Sequence, residues 1–393
     1  MTEALINPAV LQWAIRRGGL DEDAIAEKLA AAGGPDRVRA WEAGEEKPTF
    51  VQARKLAHIL HIPFASLFLD RPPLETQALP DLRTVGGQRR QPDPALLDVY
   101  NDAVRKQGWY REHRLQAGEP ALSFVGAVRF SADAAAVAQD IAQTLGHTAA
   151  LREGARNNED LLKGLVELAE EAGILVLRSS TVGANTSRPL DVEMFRGFAL
   201  SDDQAPLVFI NTADAKAAQT FTLIHELTHI WRAETGVSRP DLEAERPPEV
   251  ADAEAFCDRV AAEFLVPRAE FMAAWVDGGV LEDTARTLAA KFRVSTLVVV
   301  RRAFELGRIT REAYREFFAE VMQFHRSQKA TQKERDGGPG ALLMVRLRNG
   351  RRFTEEVVRA TVAGNLLYRD AGRLLGVKPS VIDKLANASR AEP

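Results

Sequence analysis

The sequence predicts a mainly α-helical fold with a small β-sheet, which places the protein in the α+β class. Apolar residues recur every three or four positions through most of the 393 residues, as in helices that bury one face. Short β-type runs occur at 174–177, 195–200 and 206–210, and one more lies at 342–347. Segments rich in proline, glycine and charge separate the chain into parts.

Breaks in the pattern define the expected domains. The paired Pro72 and Pro73 end the first helical region, and a polar, Gly-rich stretch follows the long helical region in the middle. We predict an N-terminal helical domain at 1–72, a linker at 73–93, a central domain with flanking helices at 94–325, a linker at 326–341 and a small α/β domain of unassigned role at 342–393.

The β-type runs of the central domain predict a three-stranded sheet. A helix with leucines at three- or four-residue spacing precedes the strand at 174–177. The strands at 195–200 and 206–210 are separated by a turn-forming Ser-Asp-Asp-Gln-Ala segment. From 212 to 324 the pattern is almost wholly helical, so we expect helices packed on this sheet.

Composition limits the class of protein. Hydrophobic residues make up 46% of the chain, enough for two or three ordinary cores. Lys and Arg number 51 against 55 Asp and Glu, so any contact with nucleic acid must be local. The only cysteine is Cys257, which excludes an intrachain disulfide and a Cys-rich zinc site and suits a cytoplasmic protein. We expect neither export nor a membrane span, because no stretch approaches about 18 apolar residues.

The most informative segment is the His-Glu-Leu-Thr-His pattern at 225–229. On a helix, His225 and His229 project from the same face one turn apart, so both imidazoles can bind one Zn²⁺ at about 2.0–2.1 Å. Glu226 is rotated by about 100° from His225, where it can take a proton from the zinc-bound water without being a ligand. The pattern predicts a catalytic zinc site with Glu226 as general base.

Catalytic zinc usually has three protein ligands, so one more is expected. The acidic candidates are Glu234, Glu243, Glu245, Glu249, Asp252, Glu254 and Glu263. The segment at 249–267 predicts a helix on which Glu254 shares a side with Cys257 and Ala261, whereas Glu263 faces solvent. A carboxylate beside small and apolar side chains requires a cation, so Glu254 is the favoured ligand.

Two further residues of that helix have more than one interpretation. Asp258 can accept a hydrogen bond from a ligand imidazole, although an exposed helix acid fits the pattern equally well. Cys257 fits a buried core side chain better than an additional zinc ligand.

The stretch HELTHI, followed 25 residues after its second histidine by EAFCDRVAAEFLVP, resembles the ImmA/IrrE family of zinc metallopeptidases. The upstream strings LPDLRT and VFIN also resemble family segments, so the similarity runs from about Leu79 to Leu306. The resemblance implies a zincin-like domain. It assigns zinc binding to the two histidines and Glu254, and catalysis to Glu226.

Substrate recognition is expected to use a strand. In zincin folds an edge strand pairs with the extended substrate backbone, and the strand at 195–200 precedes the metal-binding helices in a suitable place. We therefore expect 195–200 to be that edge strand. The alternative is that it lies inside the sheet.

The N-terminal domain predicts four or five short helices separated by glycine pairs and a Glu-Lys-Pro-Thr segment. The string WEAGEEKPTFVQARKLAHILHIP resembles the Cro/repressor-type (XRE) helix-turn-helix family, which implies a recognition helix at about 35–43. On it, Arg37 and Arg39 are expected to contact DNA. Residues 1–72 hold nine basic and ten acidic residues, so a protein-docking module is the alternative.

These patterns predict a zinc-dependent endopeptidase joined to a DNA-binding module. By resemblance it would regulate gene expression in a stress or prophage response, by cleaving a partner protein such as a repressor or the product of a neighbouring gene. The alternative is an XRE-type regulator or antitoxin-like protein whose peptidase fold is a sensor or interaction domain. A homodimer is also expected, because repressor-type modules commonly bind two-fold sites.

Overall fold

The computed structural model describes residues 2–18, 20–29, 34–60, 62–73, 93–128, 133–147, 149–238, 248–329 and 340–391. The described residues form two compact units: one holds those up to 73 together with 93–98, and the other holds those from 99 onward. Helices dominate and the sheet is small, so the predicted α+β class is confirmed. None of the described helices is both long and apolar enough to cross a membrane. Most of both predicted linkers lies outside the described residues.

The first unit consists of short helices around one core. Its elements are α1 (Pro8–Gly18), α2 (Glu22–Leu29), α3 (Gly34–Ala43), α4 (Phe50–Ile59) and a 3-10 turn at Phe64–Phe68. Trp41 of α3 is buried in this core. The Asp21 carboxylate accepts the N–H of Ala24 at the start of α2, and Thr49 and Gln52 form a reciprocal capping box at the start of α4.

The second unit contains the sheet and the remaining helices; α5 begins in the first unit and ends in the second. The elements are α5 (Pro94–Gln116), α6 (Ala134–Thr144), α7 (Ala149–Gly154), α8 (Asn158–Glu171), β1 (Leu175–Ser179), β2 (Thr181–Val182), β3 (Asn185–Pro189), β4 (Gly197–Leu200), β5 (Leu207–Asn211), α9 (Lys216–Trp231), β6 (Gly236–Ser238), α10 (Pro248–Leu265), α11 (Arg268–Ala274), α12 (Leu281–Phe292), α13 (Thr296–Glu305), α14 (Arg311–Lys329), α15 (Ala341–Asn349), α16 (Arg351–Val362), α17 (Tyr368–Leu375) and α18 (Ser380–Ala391).

Within the described chain the main sheet has four strands, in the order β1-β5-β4-β6, and β2 and β3 form a separate antiparallel pair. β1 is parallel to β5, whereas β4 is antiparallel to both of its neighbours. The three predicted strands form. The sheet also contains a fourth strand, β6, which the sequence did not predict. Because β4 lies between β5 and β6, the prediction that 195–200 is an edge strand is wrong. β6 has only three residues, too few for the alternation of a half-buried strand to be visible in the sequence.

Helices cover both faces of the sheet, so its central strands are buried throughout. Val208 and Ile210 of β5 belong to the core that α8 and α9 build on one face. On the other face, Phe198 and Phe209 stack at 5.0 Å between ring centroids, and Tyr100 of α5 lies 5.4 Å from Phe198. This two-sided packing holds α9 directly against the sheet.

The C-terminal end of α9 is fixed by contacts from earlier in the chain. The indole Nε1 of Trp231 donates to Asp140 Oδ2 at 2.6 Å, and its ring stacks on Phe124 at 4.5 Å. The N–H of Gly126 donates to the carbonyl of Ile230, one of the groups that a helix end leaves unpaired. The helix that carries His225 and His229 is therefore anchored at that end.

The C-terminal region is helical, so the predicted strand at 342–347 is wrong. In α15 only Val345 and Asn349 are buried, one helical turn apart, while Leu343 and Met344 are exposed. A short apolar run fits a strand and a helix equally, and here the contact of α15 with β1 selects the helix. Residues 340–391 contain α15 to α18 and no strand, which corrects the predicted α/β domain.

A buried carboxylate from the central domain caps the start of α16. Gly350, at φ +77°, precedes the helix and has no side chain to cap it. Glu170 of α8 accepts the N–H of Arg352 through Oε1 at 3.2 Å. Burial raises the pKa of Glu170 to about 7, although the backbone N–H groups of Arg352 and Arg351 act in the opposite direction. The charge of Glu355 acts in the same direction as burial.

This raised pKa predicts a pH-dependent stability. The folded-state pKa of Glu170 lies above its unfolded value, so its contribution to stability is complete below about pH 4.5 and is lost as the pH rises through about 7. In the wild type this loss amounts to up to about 3 kcal/mol of the free energy of unfolding, and we expect Glu170→Gln to abolish it. Urea unfolding at pH 5 and pH 8.5 measures it. Glu171→Gln, at the exposed neighbour, is the control and should behave like the wild type; an equal pH-dependent loss in both variants would contradict the assignment.

A second prediction concerns the close contact of β4 with α9. A Cβ atom at Gly197 would lie 2.6 Å from Thr222 Cγ2 and 2.8 Å from the backbone oxygen of Phe209. We expect Gly197→Ala to lower the free energy of unfolding by about 1–3 kcal/mol, because backbone atoms cannot move aside. At Gly236 of β6 the nearest atom to such a Cβ, His229 Cε1, is 3.7 Å away, so Gly236→Ala is the matched control. Thermal unfolding of the two variants should separate them.

Candidate metal centre

Three side chains from α9 and α10 converge in the second unit. The Nε2 atoms of His225 and His229 lie 3.2 Å apart. Glu254 Oε2 lies 3.4 Å from His225 Nε2, and Glu254 Oε1 lies 3.4 Å from His229 Nε2. Both histidines are buried, and the side chain of Glu254 is 16% exposed. The structure therefore brings together the three residues predicted as ligands.

The spacing of these atoms fits a tetrahedral zinc ion. With zinc–ligand bonds of about 2.0–2.1 Å, two ligand atoms of a tetrahedron lie about 3.3–3.4 Å apart. The two Nε2 atoms lie 3.2 Å apart, and each lies 3.4 Å from a different oxygen of the Glu254 carboxylate. The donor set of two imidazoles and one carboxylate is also that of a catalytic zinc site that leaves one position open.

Glu226 directly follows His225 on α9. Its side chain is fully buried, and its Oε1 lies close to β4, 3.0 Å from where a Cβ of Gly197 would be. Being next to His225 on α9, it points away from the axis shared by the two imidazoles. Its role as general base stays a prediction.

Side chains on the Nδ1 sides of the two rings orient the imidazoles. Asp258 Oδ1 lies 2.9 Å from His225 Nδ1, so it can accept the ring N–H and leave Nε2 to bind metal. Arg301 of α13 donates to Asp258 Oδ2 at 3.0 Å. Glu234 Oε2 lies 3.4 Å from His229 Nδ1. Arg301 was not predicted: it lies 43 residues beyond Asp258, and no local pattern links the two.

Cys257 is a second candidate for the third ligand. Its buried Sγ lies within 4.8 Å of a nitrogen of each histidine. It approaches His229 at Nδ1, at 3.8 Å, whereas Glu254 contacts Nε2 of both rings. The thiol is therefore on the Nδ1 side of one imidazole, whereas Glu254 lies near the Nε2 atoms of both.

Of the other acidic candidates, Glu234 lies near His229 Nδ1, as described above. Glu263, predicted to face solvent, instead forms an ion pair with Arg302. Asp252 is exposed. Glu243, Glu245 and the side chain of Glu249 lie outside the described residues.

The buried charges of the site are mutually dependent. Burial alone would lower the pKa of His225, but hydrogen bonds with Asp258 and Glu254 raise it well above its ordinary value. The pKa of His229 is raised for a similar reason, by Cys257, Glu234 and Glu254 against burial. Burial would raise the pKa of Glu254, yet the two imidazoles hold it far below its usual range. The carboxylate is therefore ionised and faces two groups that favour positive charge.

The predicted DNA-contacting residues lie in the first unit, on α3. Arg37 Nε lies 3.5 Å from Glu46 Oε2, and its guanidinium carbon lies 6.0 Å from the centre of the Trp41 ring. Arg39 pairs with Asp36 on the same helix and is 54% exposed. Each arginine thus has an acidic partner nearby, which reduces the positive potential that attracts phosphates. DNA contact by these residues stays a prediction, as does the XRE resemblance.

Two segments of the chain match known family models. Residues 169–304 match the family Peptidase_M78, described as an IrrE N-terminal-like domain. Residues 349–388 match a domain of unknown function, DUF8813. Neither curated proteins nor solved structures give a significant match. Residues 169–304 therefore carry an IrrE-like domain of a metallopeptidase family, as the resemblance predicted.

Proposed function

We propose that this protein is a zinc-dependent endopeptidase in which His225, His229 and Glu254 bind the metal. The observation that supports this most directly is the convergence of their donor atoms. The two Nε2 atoms lie 3.2 Å apart and each lies 3.4 Å from one of the two oxygens of Glu254, separations that suit zinc ligands. The buried Glu226, next to His225 on α9, is the general base that such chemistry requires. The match of 169–304 to a metallopeptidase family supports the same reading.

The chain's own residues divide the work of peptide hydrolysis. Zinc, when bound, supplies a Lewis acid that polarises the peptide carbonyl and makes water acidic enough to react near neutral pH. Glu226 accepts the proton of the attacking water and passes it to the leaving amine. Asp258 holds the ring of His225 in one orientation, and Arg301 holds Asp258. Glu226 is fully buried, which keeps its carboxylate out of bulk water.

The proposed role is regulation through a partner protein. The N-terminal module, by its XRE resemblance, would bring the peptidase to DNA through Arg37 and Arg39, and the substrate would be a repressor or the product of a neighbouring gene. A regulator whose peptidase fold acts as a sensor is the competing outcome, and the second experiment below separates the two.

Zinc binding tests the ligand assignment. We expect one zinc per chain by elemental analysis. Glu254→Gln should weaken zinc binding by more than about 100-fold, because it removes a ligand, whereas Asp258→Asn should weaken it by about 10–100-fold. Cys257→Ala is the matched control on the same helix and should change affinity by less than about 10-fold. Competition with a chromogenic chelator measures all three, and a larger loss in Cys257→Ala than in Glu254→Gln would assign the ligand role to the thiol.

Removal of the general base tests the reaction. We expect Glu226→Gln to keep its zinc while cleavage of the adjacent gene's product falls by about 10²–10⁴-fold, because the amide cannot accept the proton. The assay combines zinc-loaded protein with that product and follows fragments by mass spectrometry. Reporter expression in cells that carry Glu226→Gln completes the test. Normal regulation by this variant would favour the sensor function over proteolysis.

A further inference from the structure

The last two helices of the chain are joined by a tight turn. α17 ends at Leu375 and α18 begins at Ser380, so four residues connect them. The first of the four is Gly376, at φ +63°, a left-handed conformation that glycine adopts without strain. The N–H of Val377 then donates to the carbonyl of Gly372 at 2.9 Å. Two helices joined by a three- to four-residue turn that contains glycine are typical of a helix-turn-helix.

The two helices are held closely and in one arrangement. A Cβ atom at Gly372 would lie 2.8 Å from the carbonyl oxygen of Val377, so only glycine permits this approach of the turn to α17. Ala371 and Leu375 of α17 and Ile382 of α18 are completely buried. Both helices also pack against α16. The arrangement is therefore a small trihelical core rather than two separate helices.

One face of α18 is left exposed. Ser380, Asp383, Lys384 and Asn387 are exposed at successive positions of one helical face. The buried Ile382 and Leu385 lie on the opposite side. In DNA-binding helix-turn-helix modules the second helix presents such a face to the major groove, with its N-terminal residues nearest the bases.

Positive charge is concentrated in this region. Residues 341–393 contain ten Lys and Arg and five Asp and Glu, a net charge of +5, in a chain whose total is −4. The preceding 340 residues therefore carry −9. Arg369 and Arg373 of α17 are 67% and 69% exposed, and Lys378 and Lys384 are exposed in the turn and on α18. Among the described residues, neither lysine forms an ion pair, although both arginines lie near Asp370.

We propose that α17 and α18 form a helix-turn-helix that binds duplex DNA. The exposed face of α18 enters the major groove, and the basic residues of α17 and the turn contact phosphates on either side. Duplex DNA fits this surface because the positive charge of the protein is local: it lies on one helix and one turn of a chain that is otherwise acidic. This site is separate from the N-terminal module and does not depend on the metal centre.

The full-length protein can be tested by fluorescence anisotropy with a labelled 30-base-pair duplex of mixed sequence. We expect Arg373→Ala/Lys384→Ala to weaken binding at 50 mM NaCl by at least about 10-fold and to reduce the salt slope by about 2. The matched control is Lys163→Ala/Arg286→Ala, which removes two exposed basic side chains from α8 and α12 and should bind like the wild type. Arg37→Ala/Arg39→Ala measures the N-terminal contribution separately.

Several outcomes would overturn the proposal. The wild type could fail to bind at 50 mM NaCl, Arg373→Ala/Lys384→Ala could bind as tightly as the wild type, or the control pair could lose as much affinity. Tighter binding to single-stranded RNA of the same length would also reject duplex DNA as the partner. The charge reversal Lys378→Glu, in the exposed turn, provides an independent variant and should weaken binding without lowering the melting temperature.

Discussion

The packing of α10 against α9 is the interaction on which the metal centre depends. Helical spacing alone places His225 and His229 on one face, which provides two ligand atoms. The third comes from Glu254, whose two carboxylate oxygens each lie 3.4 Å from one of the Nε2 atoms because the two helices are in contact. The same contact brings Asp258 to the other side of His225, where Arg301 from α13 secures it. A movement of α10 would therefore remove a ligand and an orienting group together.

Burial makes the charged forms of these side chains costly unless charges of opposite sign lie close together. Isolated charges are costly inside a protein, so two imidazoles and several carboxylates are stable there only if they neutralise one another. The raised pKa values of His225 and His229 and the lowered pKa of Glu254 express that dependence, with protons supplying the positive charge. A divalent cation would replace those protons, so metal binding is coupled to proton release. Strongly perturbed groups of this kind are typical of functional sites.

Charge and capping together explain the organisation of the C-terminal region. Residues 341–393 carry a net positive charge, whereas the preceding 340 residues carry a net negative charge. The region is nevertheless joined to the central domain through Glu170, which caps α16, and through the contact of α15 with β1. Glycine is favoured at position 350 of that junction, because φ is +77° and a Cβ atom there would lie 2.9 Å from the backbone oxygen of Val176. The exposed face of α18 is thus carried on a core that the central domain helps to position.

The sequence by itself determined the features that depend on local spacing: the helical class, the three strands at 174–210, the two histidines one turn apart and the glutamate between them. It also favoured Glu254, because a carboxylate among small side chains is unusual. Only the tertiary structure decided that β4 is interior, that β6 completes the sheet, that α15 is a helix and that Arg301 supports Asp258. Each of these depends on contacts between segments far apart in the chain, and neither periodicity nor composition records which distant segments meet.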